Sequence, residues 1–140
     1  MNISEWVVVI CMPDTVMKGH VRQIVQRYID ANLKVIATHT HKMDMATAAR
    51  LYADQKGQDC YEGLLCAITS GHCTLVIIRE EDAVARVKEI NGSRDQPGTI
   101  CGDFPGAGGP FNTVHQPQSR EAARREIEIF FPGMLSTSRI

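Results

Sequence analysis

A chain of 140 residues that is 44% hydrophobic has enough apolar side chains for one ordinary core, and nothing in it marks a second domain. Its 15 Lys and Arg nearly cancel its 16 Asp and Glu, which argues against a broad basic face for nucleic acid. Five cysteines, Cys11, Cys60, Cys66, Cys73 and Cys101, are odd in number and form no Cys-x-x-Cys pair, which argues against a disulfide framework or a zinc site. Reduced thiols in a cytosol-like compartment are expected. The apolar run Trp6 to Met12 is too short to span a bilayer, and the Asn2, Ser4, Glu5 start lacks the basic region of a signal peptide. The expectation is a single soluble, cytoplasmic domain over residues 1–140.

In chain order, Trp6 to Cys11 is a continuous apolar run bounded by Pro13, as expected of a strand buried on both faces. From Val16 the period changes, and Val21, Ile24, Val25, Tyr28 and Ile29 share one helical face, predicting a helix that ends near Asn32. Leu33 to His41 is rich in β-branched residues and reads as a second strand. Ala46 to Asp54 and Tyr61 to Ile68 read as short helices. Cys73 to Ile78 is a third strand, and Asp82 to Ile90 another helix. Gly92 to Phe111 is a loop rich in Gly and Pro, followed by a short strand, Asn112 to His115. The last helix runs from about Ser119, a credible N-cap, to Phe130. This βαβαβαβα order fits a four-stranded antiparallel sheet with helices on one face, or on pattern alone a doubly wound parallel sheet.

The chemistry gathers near the C-terminal end. Pro97-Gly98-Thr99-Ile100-Cys101-Gly102-Asp103-Phe104 runs into Pro105-Gly106-Ala107-Gly108-Gly109-Pro110, then Asn112-Thr113-Val114-His115, and a helix opens at Ser119. A histidine at the end of a strand, beside flexible backbone and a helix N-terminus, is placed to act as a nucleophile toward a phosphate. The glycine-rich loop could form an anion nest. At the other end, Cys11-Met12-Pro13-Asp14 and Lys18-Gly19 follow the first strand.

Together these segments resemble the nucleoside diphosphate kinase family over nearly the whole chain. The resemblance implies a ferredoxin-like antiparallel sheet covered by helices, and γ-phosphoryl transfer between nucleoside tri- and diphosphates through a phosphohistidine. It implies that His115 is the nucleophile, that Glu126 orients it, that Asn112 meets the sugar hydroxyl and that Tyr52 lies near the phosphates. By the same resemblance Leu64 walls the base slot and Gly102-Asp103-Phe104 is a structural turn. Mg²⁺ would arrive bound to the nucleotide phosphates, and the protein would be at least a homodimer, formed by a strand edge and its adjoining helix.

The chain departs from the family where charge matters. Met12 stands in place of a lysine and Cys101 in place of an arginine, although phosphoryl transfer depends on cationic stabilisation. Cys60 replaces an aromatic ring on the base, for which Tyr61 could substitute. Pro117 replaces a serine, removing a hydroxyl and an N–H donor. The loop after Gly92 is shorter than the family's, with no clear counterpart for its threonine. That loop and the brief tail after Met134 put a hexamer in doubt. Lys88 matches a phosphate-binding arginine by charge alone, and Arg94 in the shortened loop is a candidate replacement. Two functions follow: a weak phosphotransferase, or an inactive binding or assembly module with a protein partner. An arginine of the 120 to 125 region reaching the phosphates would favour the first, although Arg120, Arg124 and Arg125 read as a solvated helix face. Asp14 reads as a helix cap or a ligand of the magnesium nucleotide, His39 and His41 as an exposed or packed pair, and Met12 as packing. Cys101 reads as a buried inert thiol or a reactive one.

Overall fold

The computed structural model describes residues 4–106 and 112–137. β1 (Ser4–Cys11), β2 (Val35–Lys42), β3 (His72–Glu81) and β4 (Val114–His115) form one sheet in the order β2-β3-β1-β4, with every neighbouring pair antiparallel. The sheet therefore has the antiparallel, ferredoxin-like organisation; a doubly wound parallel sheet is ruled out.

Helices cover both faces, not one. Val7, Val9 and Cys11 of β1 pack with Ile24 and Tyr28 of α2 (Val21–Asp30) and Val87 of α5 (Ala83–Asn91). On the other face, Val8, Ile10 and Met12 pack with Leu51 of α3 (Met45–Leu51), Ile68 of α4 (Tyr61–Thr69) and Ile127 of α7 (Arg120–Phe130). A strand covered on both sides needs apolar side chains at odd and even positions alike, which is why residues 7–11 carry no polar residue. Burial of β1 pushes the Cys11 thiol up to about 12, with the nearby Cys73 adding to it; burial likewise raises Cys73, to about 11. Both behave as apolar core members.

The helix expected from Val16 to Asn32 is two helices, α1 (Pro13–Met17) and α2. Gly19, at φ +76°, turns the chain between them in a conformation that costs a residue with a Cβ. Asp14 does not cap α1: it is the second residue of that helix and pairs with Lys18 at 3.0 Å. The loop after Gly92 contains a short helix, α6 (Ile100–Asp103), capped by Thr99. The 3₁₀ turn Ala53–Gln55 follows α3, and α8 (Met134–Thr137) closes the described chain. Residues 107–110 of the segment expected as an anion nest lie outside the described residues. No helix among the described residues is long and apolar enough to cross a membrane.

Candidate active site

A cleft of about 650 Å³ opens where β1 runs into Met12 and β4 ends at His115. β4 is only two residues long, so its position depends on bonds beyond the sheet. The Met12 N–H donates to the Thr113 carbonyl at 3.1 Å, and the buried Thr15 hydroxyl donates to the same oxygen at 2.8 Å. The Thr113 hydroxyl in turn donates to the Phe104 carbonyl. Phe104 belongs to the Gly102-Asp103-Phe104 turn, which is fastened from outside: Asp103 accepts from Arg27 at 2.8 Å and from the Gly98 N–H at 3.0 Å. These two bonds, the Gly98 one first, hold the Asp103 carboxyl below its ordinary value. A Cβ on Gly102 would lie 1.9 Å from the Gln96 carbonyl oxygen, so only glycine allows that approach.

On this platform His115 ends β4 opposite Ile10, its side chain 15% exposed. Its Nε2 lies 3.0 Å from Glu126 Oε1. Glu126 shares the buried stripe of α7 with Ala123 and Ile127, and its side chain is only 3% exposed. The carboxylate is thus fixed by a helix whose first turn is capped by Ser119, which accepts from the Ala122 N–H at 3.0 Å. With Nε2–H donated to Glu126, the imidazole keeps a lone pair on Nδ1. Tyr52 meets the ring edge-on at 5.3 Å. Burial first, then the Glu126 charge and then Cys73, raise its phenol, so it stays a protonated donor at neutral pH.

Beside the His115 segment the cleft lining includes two uncharged residues. These are Met12 and Cys101, at 5% and 8% exposure, and neither can carry a cation. Burial raises the Cys101 thiol, against weaker lowering by Thr113 and Val114, which leaves the inert reading. The cations lining the cleft among the described residues are Arg94, which donates to the Gly106 carbonyl at 2.8 Å, and Arg125, which pairs with Asp54 at 3.1 Å. Asp54 and Asp95 are its other carboxylates besides Glu126. The Ser93 hydroxyl, first, and backbone hydrogen bonding hold the Asp95 carboxyl below its usual value.

The structure therefore brings Tyr52, Leu64, Arg94, Asn112, His115 and Glu126 to one cleft. Two expected residues are not part of its lining. Lys88 is exposed on α5 and is not among the residues that line the cleft. Tyr61 packs against the core, and Cys60 takes the lining position. Arg120 pairs with Glu5 at 2.5 Å, so Arg125 alone of the basic cluster reaches the cleft. His39 and His41 pack against Phe131 and Phe130, and no group of three or more potential metal ligands occurs among the described residues. Sequence reasoning missed Asn91 and Gln116, which hydrogen-bond to each other at the cleft wall. The signal for Asn91 was a polar residue on an apolar helical stripe; Gln116 had none.

A strand-end imidazole held by a buried carboxylate, on this sheet and over this cleft, is the pairing that the family resemblance implied. The profile described as nucleoside diphosphate kinase matches residues 5–134. The chain belongs to the nucleoside diphosphate kinase family. The nucleoside diphosphate kinase of Sulfurisphaera tokodaii is 36% identical over 135 residues, covering 94% of this chain and 90% of the relative. That of Methanocaldococcus jannaschii is 32% identical over 133 residues, covering 92% of this chain and 94% of the relative. Among solved structures, the Aquifex aeolicus nucleoside diphosphate kinase superposes with a TM-score of 0.87 at 27% identity, over 94% of this chain and 98% of that one. A halophilic nucleoside diphosphate kinase from Halobacterium salinarum, in complex with CDP, gives a TM-score of 0.82 at 29% identity, over 92% and 88%.

Proposed function

We propose that this member of the family transfers the γ-phosphoryl group between nucleoside tri- and diphosphates through His115, more slowly than a site with a full cationic clamp. The observation that carries this is the 3.0 Å bond between His115 Nε2 and the buried Glu126, which leaves Nδ1 as the nucleophilic atom. In the first half-reaction the Nδ1 lone pair forms a bond to the γ-phosphorus. The bond from that phosphorus to the β–γ bridging oxygen breaks, and its electron pair leaves on the nucleoside diphosphate. The proton on Nε2 stays in place, and Glu126 balances the positive charge that the ring acquires. The second half-reaction is the reverse: a terminal oxygen of a new diphosphate takes the phosphorus, and the electron pair returns to Nδ1.

Tyr52 and Asn112 position phosphates and sugar, Leu64 supports the base, and Arg94 and Arg125 supply the cationic charge. Asp54 and Asp95 are hard oxygen donors suited to Mg²⁺ carried in by the nucleotide. When bound, Mg²⁺ neutralises phosphate charge and draws electron density from the transferring group.

The weakness is a matter of charge. Met12 and Cys101 are packed, uncharged wall where the family resemblance implies a lysine and an arginine. This same observation favours a second reading, an inactive module that keeps the cleft for a protein partner. The free edge of β2, with Ile36 42% exposed there and Ile29 47% exposed on α2, supports at least a homodimer in either case; sedimentation as a monomer at micromolar concentration would contradict it. Incubation with Mg²⁺ and γ-labelled ATP decides between transfer and module. Acid-labile, base-stable label that chases to GDP and is absent from His115→Ala is expected. A folded wild-type protein that takes no label at high concentration would leave the module.

A further inference from the structure

Pro117 is buried beside the nucleophile segment and has no N–H, while Met12 and Cys101 contribute no charge. The wall facing the phosphates therefore needs donors from elsewhere, and a chain of amides leads to one. The Tyr28 hydroxyl, buried in the core, donates to Asn91 Oδ1 at 2.5 Å. Asn91 is 1% exposed, and its Nδ2 donates to Gln116 Oε1. Each step fixes the next. Tyr28 is fully buried, and that burial raises its phenol well above the ordinary value, so it holds its proton. A protonated donor on Asn91 Oδ1 turns the Asn91 amide nitrogen toward Gln116, and that nitrogen claims the Gln116 oxygen. The end of Gln116 left for the cleft is its Nε2, which carries two N–H donors. Gln116 is the residue after His115, and both line the cleft.

We propose that Gln116, oriented through Asn91 by Tyr28, donates a hydrogen bond to an oxygen of the phosphoryl group as it passes to or from His115. This rests on the transfer reading above. It assigns the relay a task that packing alone does not explain: it holds a neutral amide donor beside the nucleophile, on a wall short of cations. Such a donor matters most when negative charge on the phosphoryl oxygens is redistributed in the transition state, not in the bound nucleotide.

Gln116→Glu tests this with little disturbance, because it keeps the oxygen that Asn91 holds and replaces the donor by an acceptor. Gln116→Ala removes both. Single-turnover labelling of His115 by γ-labelled ATP is expected to slow about 10²-fold in Gln116→Ala and further in Gln116→Glu. ADP affinity and melting temperature in Gln116→Ala should change little, while affinity for Mg²⁺, ADP and aluminium fluoride together falls with the rate. Tyr28→Phe with Asn91→Leu, which frees the amide to turn, should lose an intermediate amount. Labelling of both Gln116 variants at the wild-type rate overturns this inference alone. So does a loss in Gln116→Ala that is matched by an equal loss of ADP affinity. A wild-type protein that takes no label overturns the transfer reading and this one with it.

Discussion

The His115–Glu126 pair and the lining around it are built to different standards. His115 and Glu126 are held at 3.0 Å on a strand end and a capped helix, with the carboxylate 3% exposed. In the lining around them Met12 and Cys101 are uncharged, and the cations among the described lining residues are two arginines already engaged with Gly106 and Asp54. The contrast separates two parts of phosphoryl transfer that usually come together. Orienting a nucleophile needs a rigid acceptor and one correct tautomer; stabilising the transferring group needs charge or donors on the far side. On the proposed transfer, this chain has the first in full and the second in reduced form.

The contrast can be broken most completely from the nucleophile side. Glu126→Gln should lower the labelling rate between about 10²- and 10⁴-fold, because an amide N–H offered to Nε2 stabilises the tautomer with its proton on Nδ1. Rapid-quench labelling measures it, and a loss under tenfold would mean that the buried pair is only structural. From the uncharged lining, Met12→Lys should raise the rate by about 10²-fold, since a charged donor on the phosphates is worth that much in a water-poor site. Cys101→Arg should act in the same direction. No gain from either, in variants that bind ADP, would mean that Arg94 and Arg125 already supply the charge.

Smaller effects test the platform beneath the site. Gly102→Ala forces a Cβ against the Gln96 carbonyl and should destabilise the fold by about 1 to 3 kcal/mol, read from the denaturation midpoint. Ser119→Ala removes the cap of the helix that carries Glu126 and should cost about 1 kcal/mol. Asp103 should make the turn sensitive to acid. Its folded value is depressed, so the stability it contributes is present above the unfolded value near 4 and is lost as pH falls through the lower folded value. Asp103→Asn should flatten that part of the stability profile; an unchanged profile would contradict the assignment.

Much of the framework was legible because its physics is local. Two-sided apolar β1, the helical faces of α2 and α5, and the Ser119 cap each follow from spacing that needs no partner to interpret. The helix covering was misjudged, because helices on both faces require knowing which loops cross the sheet. The expected helix was begun at Val16, before the break at Gly19, whereas the shared apolar face starts only at Val21. At the site, His115 and Glu126 could be paired through the family resemblance, as strand end and following helix. Lys88 was chosen by its charge alone, and it is exposed on α5 outside the cleft lining. Asn91 and Gln116 are 25 residues apart and meet only in the folded chain, so spacing could not join them. Arg125 was obscured by neighbouring arginines, of which Arg120 turns to Glu5.

The central claim is that Nδ1 of His115 carries the phosphoryl group because Glu126 occupies Nε2. Phosphorus NMR of the protein after treatment with MgATP, with nitrogen-labelled histidine to identify the bonded atom, tests it directly. A phosphorus–nitrogen coupling to Nδ1 of His115 is the predicted result. Phosphorus on Nε2, on another residue, or on none in a folded protein would contradict it.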